Sequence, residues 1–274
     1  MSGAARLLAG VTRRMDEVLG SVAGLVTAAE SIAGQAGRPP GNQAPGSQSP
    51  AVQSRGSQSP DAQSPDSQSL RREDFAALRP LVAALLQDHA GLAAGAGVVL
   101  APQMLADRPR CIEWWWADRT GRVVPLDVDT DPESAEFYDY TTTEWYREPE
   151  RTGAATLAGP YVDFICTHEY TFTLAAPIRP AGRFIGVAAA DILATQVERL
   201  VLPGLCRLGP PARDQAVVLA SGHGRVIAST SASLPPGAAL PRAPHASGYA
   251  TLAGPAEGPA PRLLPWTLLT APTG

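Results

Sequence analysis

The stretch GPYVDFICTHEYTFTLAAPIRPAGRFIGVAAADI, residues 159–192, decides the fold. From Glu169 to Ile178, Tyr170, Phe172 and Leu174 alternate with Thr171, Thr173 and Ala175, the two-residue period of a half-buried strand. Pro180–Gly182 reads as a turn, Arg183–Ala190 as the returning strand, and a helical pattern follows from about Asp191 to Leu202. Working outward, Cys111–Ala117 and Arg122–Val128 flank DRTG and read as a second hairpin. Phe75, Leu78, Val82, Leu85, His89 and Leu92 follow helical spacing, with Pro80 kinking that helix or opening its second part. His89 lies on the apolar stripe and reads as a core histidine.

Towards the C-terminus, Ala216–Ala220 and Arg225–Ser229 flank SGHG as a third hairpin, and a last strand lies around Trp266–Leu269. At the other end, Leu8, Val11, Met15, Val18, Val22, Leu25, Ala29 and Ile32 alternate steps of three and four, an amphipathic helix over 4–34. That seam suits packing on the chain's own domain and a helix-mediated homodimer equally. Residues 36–69 carry SQSP twice among Gly, Ala and Pro, with too few large apolar groups to offset the entropy of ordering. The expected organisation is a helix at 1–35, a disordered linker at 36–69, a ligand-binding domain at 70–203 and a small β unit at 204–274. The fold class is α+β: a long N-terminal helix packed on an antiparallel sheet, with a β appendage.

Composition narrows the function. The net charge of −4 gives no basic face for nucleic acid. All 22 basic residues are Arg, so mechanisms that require a lysine are excluded: a phosphate-loop NTPase, a protein kinase, a Schiff-base enzyme. Cys111, Cys166 and Cys206 form no C-x-x-C pair, and only Cys166/His168 hints at a metal. These sparse cysteines read as small buried hydrophobes in a reducing compartment. Charged residues interrupt the N-terminal helix, so it is no signal peptide, and no window is long and apolar enough for a membrane span. The expectation is a soluble, cytoplasmic protein.

FYDYTTTEWY (137–146), GPYVDFICTHEYTFTLAAPI (159–178) and RFIGVAAADI (183–192) together resemble the Cache family of sensor domains, an extracytoplasmic-PAS-like fold. The likeness is clearest over 110–203, and nearest to the double-Cache type that binds amino acids or amines. It lies in order and spacing: Tyr138 seven residues before Trp145, then Tyr146, then Tyr161 and Asp163 in a P-Y-x-D motif, then Asp191. The resemblance implies a PAS-like antiparallel sheet and a ligand pocket built from those six residues, with no cofactor, metal or catalysis. Amino-acid-binding members carry an Arg two residues before the Trp to clamp the α-carboxylate. Here Thr143 stands there, and the clamp is missing unless Arg147 or another Arg supplies it.

The chemistry of the residues agrees with that reading. Aromatic rings beside two carboxylates suit a cation, because buried carboxylates need a counter-charge or a proton and aromatic faces attract ammonium groups. Each residue also has a plainer role: Trp145 as a core ring, the tyrosines as cover for the sheet, Asp163 as a turn cap, Asp191 as the N-cap of the following helix. If Trp114–Trp116 is a strand, its rings alternate sides and read as core and domain contact, with a ligand role as the lesser reading. Asp127, Asp129 and Asp131 lack the Gly and Glu of a calcium loop and read as a solvated acidic loop. No nucleophile elbow or fixed carboxylate pair specifies an enzyme. The expected partners are a small amine-bearing ligand and a separate signalling protein, with no nucleic acid and no membrane. The alternative is a Cache-fold interaction or dimerisation protein without a ligand.

Overall fold

The computed structural model describes residues 1–36, 69–118, 120–165, 169–209, 212–240, 249–255 and 264–273. The linker expected at 36–69 and the Cys166/His168 pair therefore lie almost wholly outside the described residues. Helix α1 (Gly3–Ala36) is followed by α2 (Arg72–Ala76) and α3 (Arg79–Asp88), the latter opened by Pro80 in its first turn, where proline costs no hydrogen bond. Strands β1 (Ala93–Leu100), β2 (Cys111–Ala117) and β3 (Val123–Pro125) come next. Then follow α4 (Glu144–Thr152), β4 (Thr156–Val162), β5 (Tyr170–Ile178), β6 (Gly186–Leu193) and α5 (Ala194–Leu208). Strands β7 (Gln215–Ala220), β8 (Val226–Ser229), β9 (Ala250–Ala253) and β10 (Thr267–Pro272) complete the chain. The architecture is α+β, as the sequence pattern implies.

The first six strands form one antiparallel sheet in the order β3-β2-β1-β6-β5-β4, and the last four form a second, β8-β7-β10-β9. The large sheet is held at its centre by β1 and β6, which lie about ninety residues apart in the chain and pair from Ala93↔Ile192 to Leu100↔Gly186. Side chains alternate across it. One face carries Val98, Leu100, Phe172, Leu174 and Ile192 into the main core beneath α1 and α3. The other carries Val99, Trp114, Ala175, Val187 and Ala189 beneath α4. Strand β5 is thus covered on both faces and buried from Thr171 to Ala176, not half-buried as its alternation suggested: threonine and alanine are small enough to be covered as readily as Phe or Leu.

The heptad stripe of α1 is spent within the chain. Met15, Val18, Val22 and Ala29 are fully buried, packed on β5, β6 and α3 with the helix reaching β9 and β10 of the second sheet. At 1.5 Å per residue it is about 50 Å long, enough to brace both sheets. The seam that raised a homodimer is therefore occupied by the chain's own sheets. His89 is buried at the end of α3, and its Nε2 bonds Ser21 Oγ of α1 at 2.9 Å. Trp266 joins the second sheet to the first by packing on Phe172 at 5.4 Å. Cys111 is buried but Cys206 is exposed on α5, correcting the reading of both as core residues. The domain boundary expected at 203/204 falls inside α5, which runs through Pro203 to Leu208.

Candidate ligand site

The site begins with small residues. Two rows run across the sheet by register: Trp114–Gly97–Ala189–Ala175, and Trp116–Gly95–Asp191–Thr173. Gly97 and Ala189 in the middle of the first row and Gly95 in the second leave a hollow above the strands that larger side chains would fill. Glycine is required at 97, because a Cβ there would lie 2.1 Å from the Glu113 carbonyl oxygen. The hollow is roofed by Tyr138, by Trp145 of α4, by Leu126 and Val128 after β3, and by Asp163 and Ile165 after β4. Tyr161, Thr173, Asp191 and Trp114 line it from the sheet. The recess encloses about 400 Å³ out to its open mouth, but only about 40 Å³ admits the centre of a water molecule. It is a narrow site.

Its charged groups are both acidic. Asp191 lies in β6 and is nearly buried. The reading of Asp191 as a helix N-cap is corrected: the strand continues to Leu193, and Leu193 precedes α5. The Thr173 hydroxyl donates to Asp191 Oδ1 at 2.6 Å. Having spent its one hydrogen there, Thr173 accepts from the Tyr161 hydroxyl. Burial pushes the Asp191 carboxyl up to about 7; the Thr173 bond opposes this and the negative charge of Asp163 adds to it. Burial likewise pushes the Tyr138 phenol up to about 12, helped by the charges of Asp163 and Asp191, and raises that of Tyr161 further. Asp163 is also nearly buried, and its Oδ1 accepts from Ile165 N at 3.0 Å. Its turn-capping role and its place at the recess coexist.

Five of the six residues singled out from the sequence converge here: Tyr138, Trp145, Tyr161, Asp163 and Asp191. Tyr146 does not. Adjacent helical positions point about 100° apart, so with Trp145 facing the recess Tyr146 turns inward, edge-on to Tyr140 at 5.3 Å and Phe184 at 5.6 Å. Thr173 is a site residue the sequence pattern does not single out, and Trp114, whose ligand role ranks there behind core packing, also lines the recess; strand alternation sets it opposite to Trp115, which joins the main core. Thr143 precedes α4 and donates its hydroxyl to the Tyr140 carbonyl at 2.7 Å. No arginine lines the recess among the described residues. Arg147 is exposed, and Arg110 is engaged by Asp139 at 2.8 Å over the Phe137 ring. Nor does any cluster of potential metal ligands occur among the described residues.

A helix-backed antiparallel sheet with a recess of aromatic and acidic residues on its far face is the architecture of a Cache-like sensor domain. Residues 81–199 match the family model described as methyl-accepting chemotaxis protein-like, first PDC sensor domain, and over that stretch the chain is similar to a Cache-like sensor domain. The whole chain is similar in fold to the solved structure of Methyl-accepting Chemotaxis protein X, at 18% identity over 96% of each chain with a TM-score of 0.55. Weaker likenesses include the ligand-binding domain of the Pseudomonas aeruginosa PAO1 amino acid chemoreceptor PctC in complex with GABA, at 15% identity over 97% of this chain and 94% of that one, TM-score 0.49. Another is the sensory domain of the Campylobacter jejuni chemoreceptor Tlp3 with isoleucine bound, at 16% identity over 86% and 74%, TM-score 0.45. No helix among the described residues is long and apolar enough to cross a membrane.

Proposed function

We propose that this domain senses a small amine without a carboxylate, holds it between Asp163, Asp191 and the surrounding rings, performs no chemistry on it, and reports its presence to a separate signalling partner. The observation that carries this is the charge of the recess: the buried Asp191 with Asp163 beside it, four aromatic side chains and, among the described residues, no basic group in the lining. An ionised Asp191 in such a place is costly unless a cation accompanies it. An ammonium group supplies that charge and hydrogen-bond donors together. Trp145, Trp114, Tyr138 and Tyr161 add cation–π attraction, about 0.5–2 kcal/mol per good contact. A ligand carboxylate would meet Asp163 and Asp191 with no arginine among the described lining residues to receive it, so Thr143 and those lining residues together favour an amine over an amino acid.

Thermal unfolding against a panel of alkylamines, amino alcohols, polyamines and amino acids tests the reading. A ligand at a hundred times its dissociation constant should stabilise the native state by about 2.7 kcal/mol. A raised midpoint with amines that disappears in Asp163→Ala supports the proposal. A rise with amino acids only would replace it with a carboxylate-clamping site. No rise with any compound would favour an interaction domain without a ligand.

A further inference from the structure

We propose that the amine recognised by this recess also carries a hydroxyl, as a short amino alcohol does, and that the indole N–H of Trp114 recognises that oxygen. The inference rests on the amine reading above and names its ligand class more closely. Trp114 is 7% exposed, and its Nε1 is buried with no hydrogen-bond partner. Buried tryptophans ordinarily pair this group, and an unpaired buried donor is expensive. The same side chain lines the recess.

Register fixes where the donor lies. Trp114 stands opposite Gly97, yet its ring slants along β1: a Cβ built on Gly95 would lie 2.7 Å from the Trp114 Nε1. Gly95 pairs directly with Asp191 on the other side. The indole N–H therefore sits over the strand next to the one that carries Asp191, about one strand spacing, roughly 4.8 Å, away. An ammonium on Asp191 and an acceptor on Trp114 can be joined by a bent two-carbon spacer. The 40 Å³ of the recess open to water centres is room for about three waters, or three to four heavy atoms in a chain. Glycine at 95 is what lets the indole lie there, so Gly95 and Trp114 act as one device.

The test is calorimetric titration of the full chain at pH 8 with ethanolamine and with propylamine, which replaces the hydroxyl by a methyl group of similar size. Ethanolamine should bind at least about tenfold more tightly, the worth of satisfying a buried donor. In Trp114→Phe, which keeps a ring and removes the N–H, the preference should fall to about twofold or less. Should that variant not fold, Gly95→Ala, which pushes the indole from its place, should show the same loss of preference. Equal affinities in the wild type would overturn the inference and leave the amine reading standing. So would a preference that survives in the variants. Failure of every amine to bind would instead remove the amine reading itself.

Discussion

Replacing Asp191 by Asn should stabilise the ligand-free protein above neutral pH while abolishing its response to amines. Lifting this carboxyl from an ordinary 3.8 to about 7 means that its ionised form costs the folded state on the order of 4 kcal/mol. The sign follows from proton binding. The folded state holds the proton more tightly than the unfolded one, so this group favours folding increasingly as pH falls from about 7 to about 4, and burdens it fully above 7. Asparagine fills nearly the same volume, still accepts from Thr173, and carries no charge. Its amide hydrogens retain a smaller desolvation cost, so the expected gain at pH 8 is about 2 kcal/mol or more, or at least about 4–8 °C in midpoint for a chain of this size. At pH 4 wild type and variant should converge, because both are neutral there. Urea unfolding at pH 4, 6 and 8, without ligand and with ethanolamine, reads all of this. A variant less stable than wild type at pH 8, or a difference that does not change with pH, would refute the argument.

Thr173→Val removes the hydroxyl between Tyr161 and Asp191; it should cost about 1–3 kcal/mol at pH 8 and move the pH dependence of unfolding upward, since the Asp191 carboxylate loses its donor. Gly97→Ala should cost about 3 kcal/mol or more, or prevent folding, because the added carbon meets backbone 2.1 Å away; soluble yield and urea midpoint report it. Met15→Ala, at a fully buried position of α1, should cost about 2–5 kcal/mol in the same assay. Tyr146→Phe should leave amine affinity unchanged and stability within about 0.5 kcal/mol, since its buried hydroxyl has no partner and lies outside the recess; calorimetric titration beside urea unfolding checks both.

Much of the fold is written in local periodicity. The stripe of α1, the hairpins around DRTG and SGHG, and the turn at Pro180 are statements about neighbours in the chain. The pairing of β1 with β6 is not, and it is this pairing that brings Gly95 beside Asp191. Asp191 looked like a helix cap because an Asp before a helical pattern commonly is one, yet the strand runs on for two residues. Of the site, the aromatic and acidic members were legible only as an ordered set resembling a family. Tyr146 entered with them, although a helix cannot turn two adjacent side chains to one recess. Trp114 and Thr173 could be read only after the sheet's parity was known. The floor of Gly95, Gly97, Ala175 and Ala189 gave no signal, because small residues show their meaning only where something larger is missing.

A crystal structure of the full chain soaked with ethanolamine at pH 8 would test the central claim most directly. The account predicts one molecule in the recess, its nitrogen within about 2.7–3.2 Å of a carboxylate oxygen of Asp191 or Asp163 and the ring faces of Trp145 and Tyr138 around it. An empty recess at saturating ethanolamine, or an amine bound elsewhere on the chain, would contradict it.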